Sequence, residues 1–239
     1  MRGCLFVLLF AAIVVGSITW FASAPIASTV VGAILDGSGF RAASSTITVT
    51  ADPPPRLLLG QADRVSISAT DVQWQSLRAA RLSLTFDGVD LFARTATTIH
   101  GSLDDADVAA DDETAGGPAA PTATIAVDGP AAAADAAITV DAATIRRLIV
   151  AAVEREFGVK ATGVELVAPN RLRLAAPGAT IDATLVIDER GALAVSTPLG
   201  SVEMFRVDPS IPLRLRSVTV VDGALRLDGI LDVNALLGG

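Results

Sequence analysis

Arg81-Leu82-Ser83-Leu84-Thr85-Phe86 sets a polar side chain beside an apolar one three times in succession. A strand turns successive side chains to opposite faces, so this run predicts a strand with Leu82, Leu84 and Phe86 on a buried face and Arg81, Ser83 and Thr85 on a wet one. The same habit spreads outward from it. Val65, Ile67 and Ala69 alternate with Arg64, Ser66 and Ser68 upstream, and Thr46 to Ala51 precedes them. Asp87-Gly88, lying between Phe86 and the pair Val89 and Leu91, predicts a hairpin turn. Thr124 to Val127 and Ile138 to Val140 are short strand candidates. Further alternation follows at Val164 and Leu166, at Leu172 and Leu174 between Arg171 and Arg173, at Ile181 to Ile187, and at Leu193 and Val195. The last run carries Leu213, Leu215, Val218 and Val220, then a turn at Asp222-Gly223 into Leu225 and Leu227.

Helices are fewer. Asp141 to Phe157 is the clearest: Asp141 can cap it, Gly158 can end it, and Ile145, Leu148, Ile149, Ala152 and Val153 form one stripe opposite Arg146, Arg147 and Glu154. Ile26 to Leu35, stopping at Asp36-Gly37, is a second. The expected fold class is α+β, dominated by antiparallel strands.

The 239 residues contain 18 basic and 26 acidic side chains, for a net charge of −8. Asp104, Asp105, Asp107, Asp111, Asp112, Glu113, Asp128 and Asp135 lie in a stretch without a base, and setting those eight aside leaves 18 acids against 18 bases. No basic excess exists to release counterions from a nucleic acid, and aromatic residues make up only 4%, so nucleic acid is not an expected partner. Residues 103–121 combine acids, Ala, Gly and Pro without periodicity and read as a mobile acidic loop. The loop lacks the Asp-x-Asp-x-Asp-Gly spacing and distal Glu of a calcium site, so no metal and no cofactor are expected.

From Gly3 to Leu35 no residue is charged, and Cys4 to Ala24 would make a helix of about 30 Å, the thickness of a hydrocarbon core. Residues 1–24 therefore read as an N-terminal membrane anchor, and residues 25–239 as one domain. Arg2 and the amino terminus keep the start of the chain cytoplasmic, so the domain is exported and held at the cell membrane by a single pass. The alternative is a signal peptide cut after Ala22-Ser23-Ala24, leaving a secreted or periplasmic domain.

Eight or more one-faced strands need cover, and a helix about 10 Å wide shields two or three strands spaced about 4.8 Å apart. Two helices leave apolar sheet over, to be hidden by sheet-on-sheet packing, by rolling around a helix, or by a greasy ligand.

Against this background the order of parts resembles the LmeA-like phospholipid-binding family of actinobacterial cell envelopes. The resemblance rests on Gly60-Gln61-Ala62-Asp63-Arg64-Val65-Ser66-Ile67, on Leu82 to Val89, on Ile138-Thr139-Val140-Asp141 opening a helix at Ile145, and on the closing Leu225-Arg226-Leu227-Asp228-Gly229. The match covers about residues 26–235. Departures are the acidic insertion and Pro53-Pro54-Pro55. The resemblance implies a non-catalytic domain that binds, and could transfer, phospholipid or another acyl lipid during envelope assembly. It also implies a tubular lipid-binding architecture, a strongly curved antiparallel sheet packed around one long helix. Acyl chains would then lie between the strands and the helix stripe. Candidate lining residues are Leu57, Leu58, Leu59, Trp74, Leu84, Phe86, Ile145, Leu148, Ile149, Leu185 and Leu215, with Arg171, Arg173, Arg214 and Arg216 as candidate headgroup contacts.

An enzyme is not expected. His100 is the one histidine and no Gly-x-Ser-x-Gly elbow accompanies it, Cys4 falls in the membrane segment, and His and Cys are too few for a zinc cluster. The remaining alternative is a membrane-tethered β-rich scaffold or interaction domain without a ligand.

Overall fold

The two alternating runs that begin at Arg64 and Arg81 pair with each other, Val65 opposite Phe86 and Ile67 opposite Leu84, in the longest hairpin of the chain. It belongs to a computed structural model that describes residues 27–33, 35, 37, 39–74, 77–108, 122–158, 161–198, 200–207, 209 and 211–238. The apolar run Cys4 to Ala24 and most of the acidic stretch 103–121 lie outside those residues.

Helical residues 27–33, 35 and 37 form α1. There follow β1 (Phe40–Arg41), β2 (Ser44–Thr50), a 3-10 helix η1 (Pro54–Leu59), β3 (Gln61–Trp74), β4 (Leu77–Asp90), β5 (Thr98–Val108), β6 (Thr122–Pro130) and β7 (Ala134–Val140). Helix α2 (Ala142–Phe157) leads into β8 (Gly163–Val167), β9 (Arg171–Ala176), β10 (Ala179–Ile187), β11 (Leu193–Thr197) and β12 (Gly200–Phe205). The chain closes with β13 (Leu213–Val221), β14 (Ala224–Leu231) and α3 (Val233–Gly238).

All pairing is antiparallel. The larger sheet has nine strands in the order β1-β3-β4-β5-β6-β7-β14-β13, with β2 continuing the β1 edge along β3. Strands β8 to β12 form a separate five-stranded meander. Strands take up 59% of the described residues, so the fold is mostly β with few helices, and neither sheet closes into a barrel. The expected dominance of antiparallel strands holds, and the balance is mostly β where α+β was expected. Two strands account for the difference: Gly200–Phe205 is short, and Thr98–Val108 carries an acidic end past Leu103, where its register on β6 shifts, so each has a weaker apolar pattern than the strands around it.

The predicted turn at Asp87-Gly88 is also corrected. Gly88 takes a left-handed φ of 59°, but β4 runs on to Asp90 because both neighbouring strands hold it. Arg64 Nε reaches Asp87 Oδ1 at 2.7 Å from one side, and Thr97 N–H donates to the Asp87 carbonyl at 2.9 Å from the other. The reversal comes at residues 91–94, where Asp90 Oδ1 accepts from the amides of Phe92 and Ala93. Asp222-Gly223 does turn the chain between β13 and β14, both residues with positive φ (51° and 78°), as a two-residue hairpin of this hand requires.

The outer face of the large sheet carries Thr and Ser on β2 to β5, and the inner face holds two apolar cores. The first lies on β2 to β6 beneath α1 and α3, and the second unites β6, β7, β13 and β14 with α2 and the small sheet. Ile125 touches both. The small sheet curls so that its two edge strands, β8 and β12, both meet α2, which also meets β14. Asp141 caps α2 by accepting from the amides of Ala143 and Thr144 at 2.8 and 2.9 Å, and Gly158 ends it in the left-handed region. Two glycines allow close strand approach: a Cβ on Gly101 would stand 2.1 Å from the Ser83 carbonyl oxygen, and one on Gly229 2.7 Å from that of Arg214.

Candidate functional site

Ala27, Val31 and Leu35 recur four apart, the spacing that brings side chains to one face of a helix. Ala27 and Val31 are buried against the first core, and Leu35 packs on it. They do not seal it. Between α1, the inner face of β3 and β4, and α3 lies an apolar crevice of about 100 Å³. Val31 and Leu35 line one side, Val65, Ile67, Leu82, Leu84 and Phe86 the floor, and Phe40, Leu91 and Leu237 the ends. Leu84 packs over Gly101 on the neighbouring strand, where a Cβ would sit only 2.8 Å from Leu84 Cδ2.

The charged residues of the lining are Asp90 and Arg94. Asp90 is engaged in the 91–94 turn through Oδ1. Arg94 is exposed, has a φ of 54°, and has no ion-pair partner among the described residues. The site therefore joins a hydrocarbon-lined slot to one unengaged guanidinium, an arrangement suited to an amphiphile with an anionic head. Asn234 fixes α3 over the β4–β5 connection by accepting from Ala96 N–H at 2.9 Å and donating to the Ala96 carbonyl at 3.3 Å.

The residues singled out from sequence are distributed over several places. Leu84 and Phe86 line the crevice. Leu57 is buried in the first core, whereas Leu58 and Leu59 on η1 are exposed. Trp74 ends β3 opposite Phe40, and its side chain is not among those described. Ile145, Ile149 and Leu185 are fully buried core residues, and Leu148 packs beside them. The space between α2 and the sheets, bordered by Ile145 and Leu148, is only about 30 Å³, so the α2 stripe is closely packed. Leu215 is buried in the second core and borders a separate wide cleft. Val31, Leu35, Phe40, Leu91, Arg94 and Leu237 were not anticipated. The four-residue spacing in α1 was the available signal, while Leu237 reaches the site only because α3 folds back.

The wide cleft, about 960 Å³, lies between the start of β13 and the turns of the small sheet. Arg214 and Arg216 border it with Arg190 and Arg206. Glu203 holds Arg206 through both carboxylate oxygens at 3.0 and 2.6 Å, which raises the guanidinium pKa further. Asp188, Glu189 and Asp232 offset much of the remaining charge. Arg173 is paired with Glu165 and Asp182, and Arg171 is exposed on β9. His100 pairs through Nδ1 with Asp128 Oδ1, its register partner, on the open outer face of the large sheet beside Thr85. No group of three or more metal-ligating side chains occurs among the described residues. Among those residues no helix is long and apolar enough to cross a membrane, and the segment expected to do so lies outside them.

No protein-family model, curated protein or solved structure matches the chain.

Proposed function

We propose that this protein binds an acyl lipid outside the cytoplasmic membrane, the tail entering the crevice beneath α1 and an anionic headgroup meeting Arg94, without chemical change to the lipid. The observation that carries the reading is the crevice itself, an apolar slot with an unengaged guanidinium among its lining residues. An apolar cavity of about 150 Å³ stays dry and admits benzene, so about 100 Å³ takes the end of a tail. A longer segment enters as α1 lifts from the sheet, making α1 the lid. The pattern resemblance to LmeA-like proteins points the same way, to a role in carrying or presenting phospholipid for envelope assembly. In this reading the small sheet curled around α2 is the counterpart of a tubular lipid-binding fold, and residues 1–24 tether the domain to the membrane. The close packing around α2 favours the alternative, a ligand-free tethered scaffold, for that half of the molecule.

Native mass spectrometry of the full-length chain, released gently from membranes, tests the proposal. A bound species of phospholipid mass is expected. A ligand-free mass, together with no uptake from phosphatidylglycerol vesicles, would leave the scaffold.

A further inference from the structure

We infer that the end of the large sheet formed by η1 and the β4–β5 turn is a membrane-docking tip, with Leu58, Leu59 and Phe92 inserted among the lipid headgroups. This rests on the reading of residues 1–24 as an uncleaved anchor. These three side chains are 48%, 68% and 74% exposed, and they make up three of the five large exposed hydrophobic residues among those described. They come from two connections that are fastened together: Leu91 N–H donates to the Gly60 carbonyl at 2.7 Å, and the Phe92 ring lies against Gly60, where a Cβ would stand 2.5 Å away. Gly60 ends η1 with a φ of 76°, so both its conformation and its missing Cβ are needed to seat Phe92 beside the leucines.

The course of the chain says what covers this tip. Gly32 of α1 lies beside Ile47 at mid-strand, and Phe40 pairs with Trp74 at the opposite end of β3 from Gln61. Helix α1 therefore runs away from the tip, and Ala27 is its end nearer the tip. Between the apolar run ending at Ala24 and Ala27 stand only Pro25 and Ile26, a reach of about 10 Å at full extension. Ile67 lies six residues along β3 from Gln61, about 20 Å at ~3.3 Å per residue, whereas Ala27 stands only five helical residues, about 8 Å, tipward of Gly32. The tip therefore projects past the anchored end of α1, toward the bilayer. The acidic insertion leaves the sheet at the far end, since Val108 is in register with Leu77 and Thr122 opens β6 beside it.

Charge at the tip is nearly balanced. Arg56 is paired with Asp63 at 2.9 Å, Asp90 is engaged in its turn, Asp52 is nearby, and Arg94 is unengaged. Attachment is therefore apolar, with little dependence on salt or on anionic lipid.

The test uses the full-length chain in a Cys4→Ser background, reconstituted in phosphatidylcholine vesicles that carry a nitroxide near the top of the acyl chain. A fluorophore is placed on Leu59→Cys, on Phe92→Cys, or on Gln73→Cys at the far end of β3. Several-fold stronger quenching at 59 and 92 than at 73, unchanged by added salt or phosphatidylglycerol, is the expected result. Equal quenching at all three positions, or none at the tip, overturns the inference, as does a tip label shielded by a second copy of the chain and not by lipid. Native mass spectrometry on the same samples separates the two claims: tip quenching without bound lipid leaves docking standing and removes the crevice ligand, and bound lipid without tip quenching removes docking alone.

Discussion

Leu84→Trp should fill the crevice beneath α1 and displace the lipid tail while leaving the fold standing. Leu84 sits at the middle of β4 opposite Ile67 and lines the crevice. An unfilled apolar void of about 100 Å³ costs the ligand-free protein about 2 kcal/mol at ~24 cal/mol per Å³. Filling it recovers part of that, against about 1–3 kcal/mol of strain from an oversized side chain, so net stability should stay within about 1 kcal/mol of the parent. Affinity responds differently. A tail segment of about four methylenes at ~0.8 kcal/mol each is worth about 3 kcal/mol, close to a hundredfold in Kd. The assay is anisotropy of a pyrene-labelled phosphatidylglycerol with the full-length chain held in amphipol, alongside urea unfolding of the same preparations. Ile149→Ala supplies the opposite pattern: a fully buried residue of α2 whose truncation costs about 2–5 kcal/mol but leaves lipid affinity unchanged. If Leu84→Trp binds as tightly as the parent, the tail does not occupy the crevice and the reasoning fails.

Two further outcomes test the fold. Gly101→Ala should lower stability by about 3 kcal/mol, because its Cβ meets backbone of β4 at 2.1 and 2.9 Å; Gly32→Ala, whose nearest neighbour would be Ile47 Cδ1 at 3.7 Å, should gain up to about 1 kcal/mol. Equal urea midpoints for the two would show that β4 and β5 do not approach so closely. Asp141→Ala should cost about 1 kcal/mol at neutral pH by uncapping α2. The Thr144 hydroxyl, ahead of the amides of Thr144 and Ala143, holds the Asp141 carboxyl below its ordinary 3.8. The folded state therefore binds fewer protons than the unfolded chain, and the stabilisation is complete above 3.8 and lost as pH falls through the lower folded value. A difference between parent and variant that persists undiminished in strong acid would contradict this.

Local pattern carried far at some places and failed at others for identifiable reasons. Period-two runs at 64–69, 81–86 and 213–227 are strands because alternation already separates a wet face from an oily one. Helix α2 begins and ends where Asp141 and Gly158 supply its missing partners, a purely local matter. Asp87-Gly88 misleads because contacts from both sides keep β4 paired through a left-handed Gly88 that does not reverse the chain, and residues 103–108 are a strand for a similarly non-local reason, pairing with β4 and β6.

The alternating strands, the cap and stop of α2, the charge imbalance and the apolar run before residue 25 are all written locally, since each depends on neighbours within a few positions. Which apolar face is closed and which stays open follows from how distant elements meet. The α2 stripe and the β4 face are equally aliphatic in sequence; α2 is enclosed by a sheet that curls around it, whereas the first core is covered by two short helices from opposite ends of the chain, whose meeting leaves a gap. That gap depends on contacts between residues as far apart as Val31, Leu84 and Leu237, and no local periodicity records how well such distant surfaces fit.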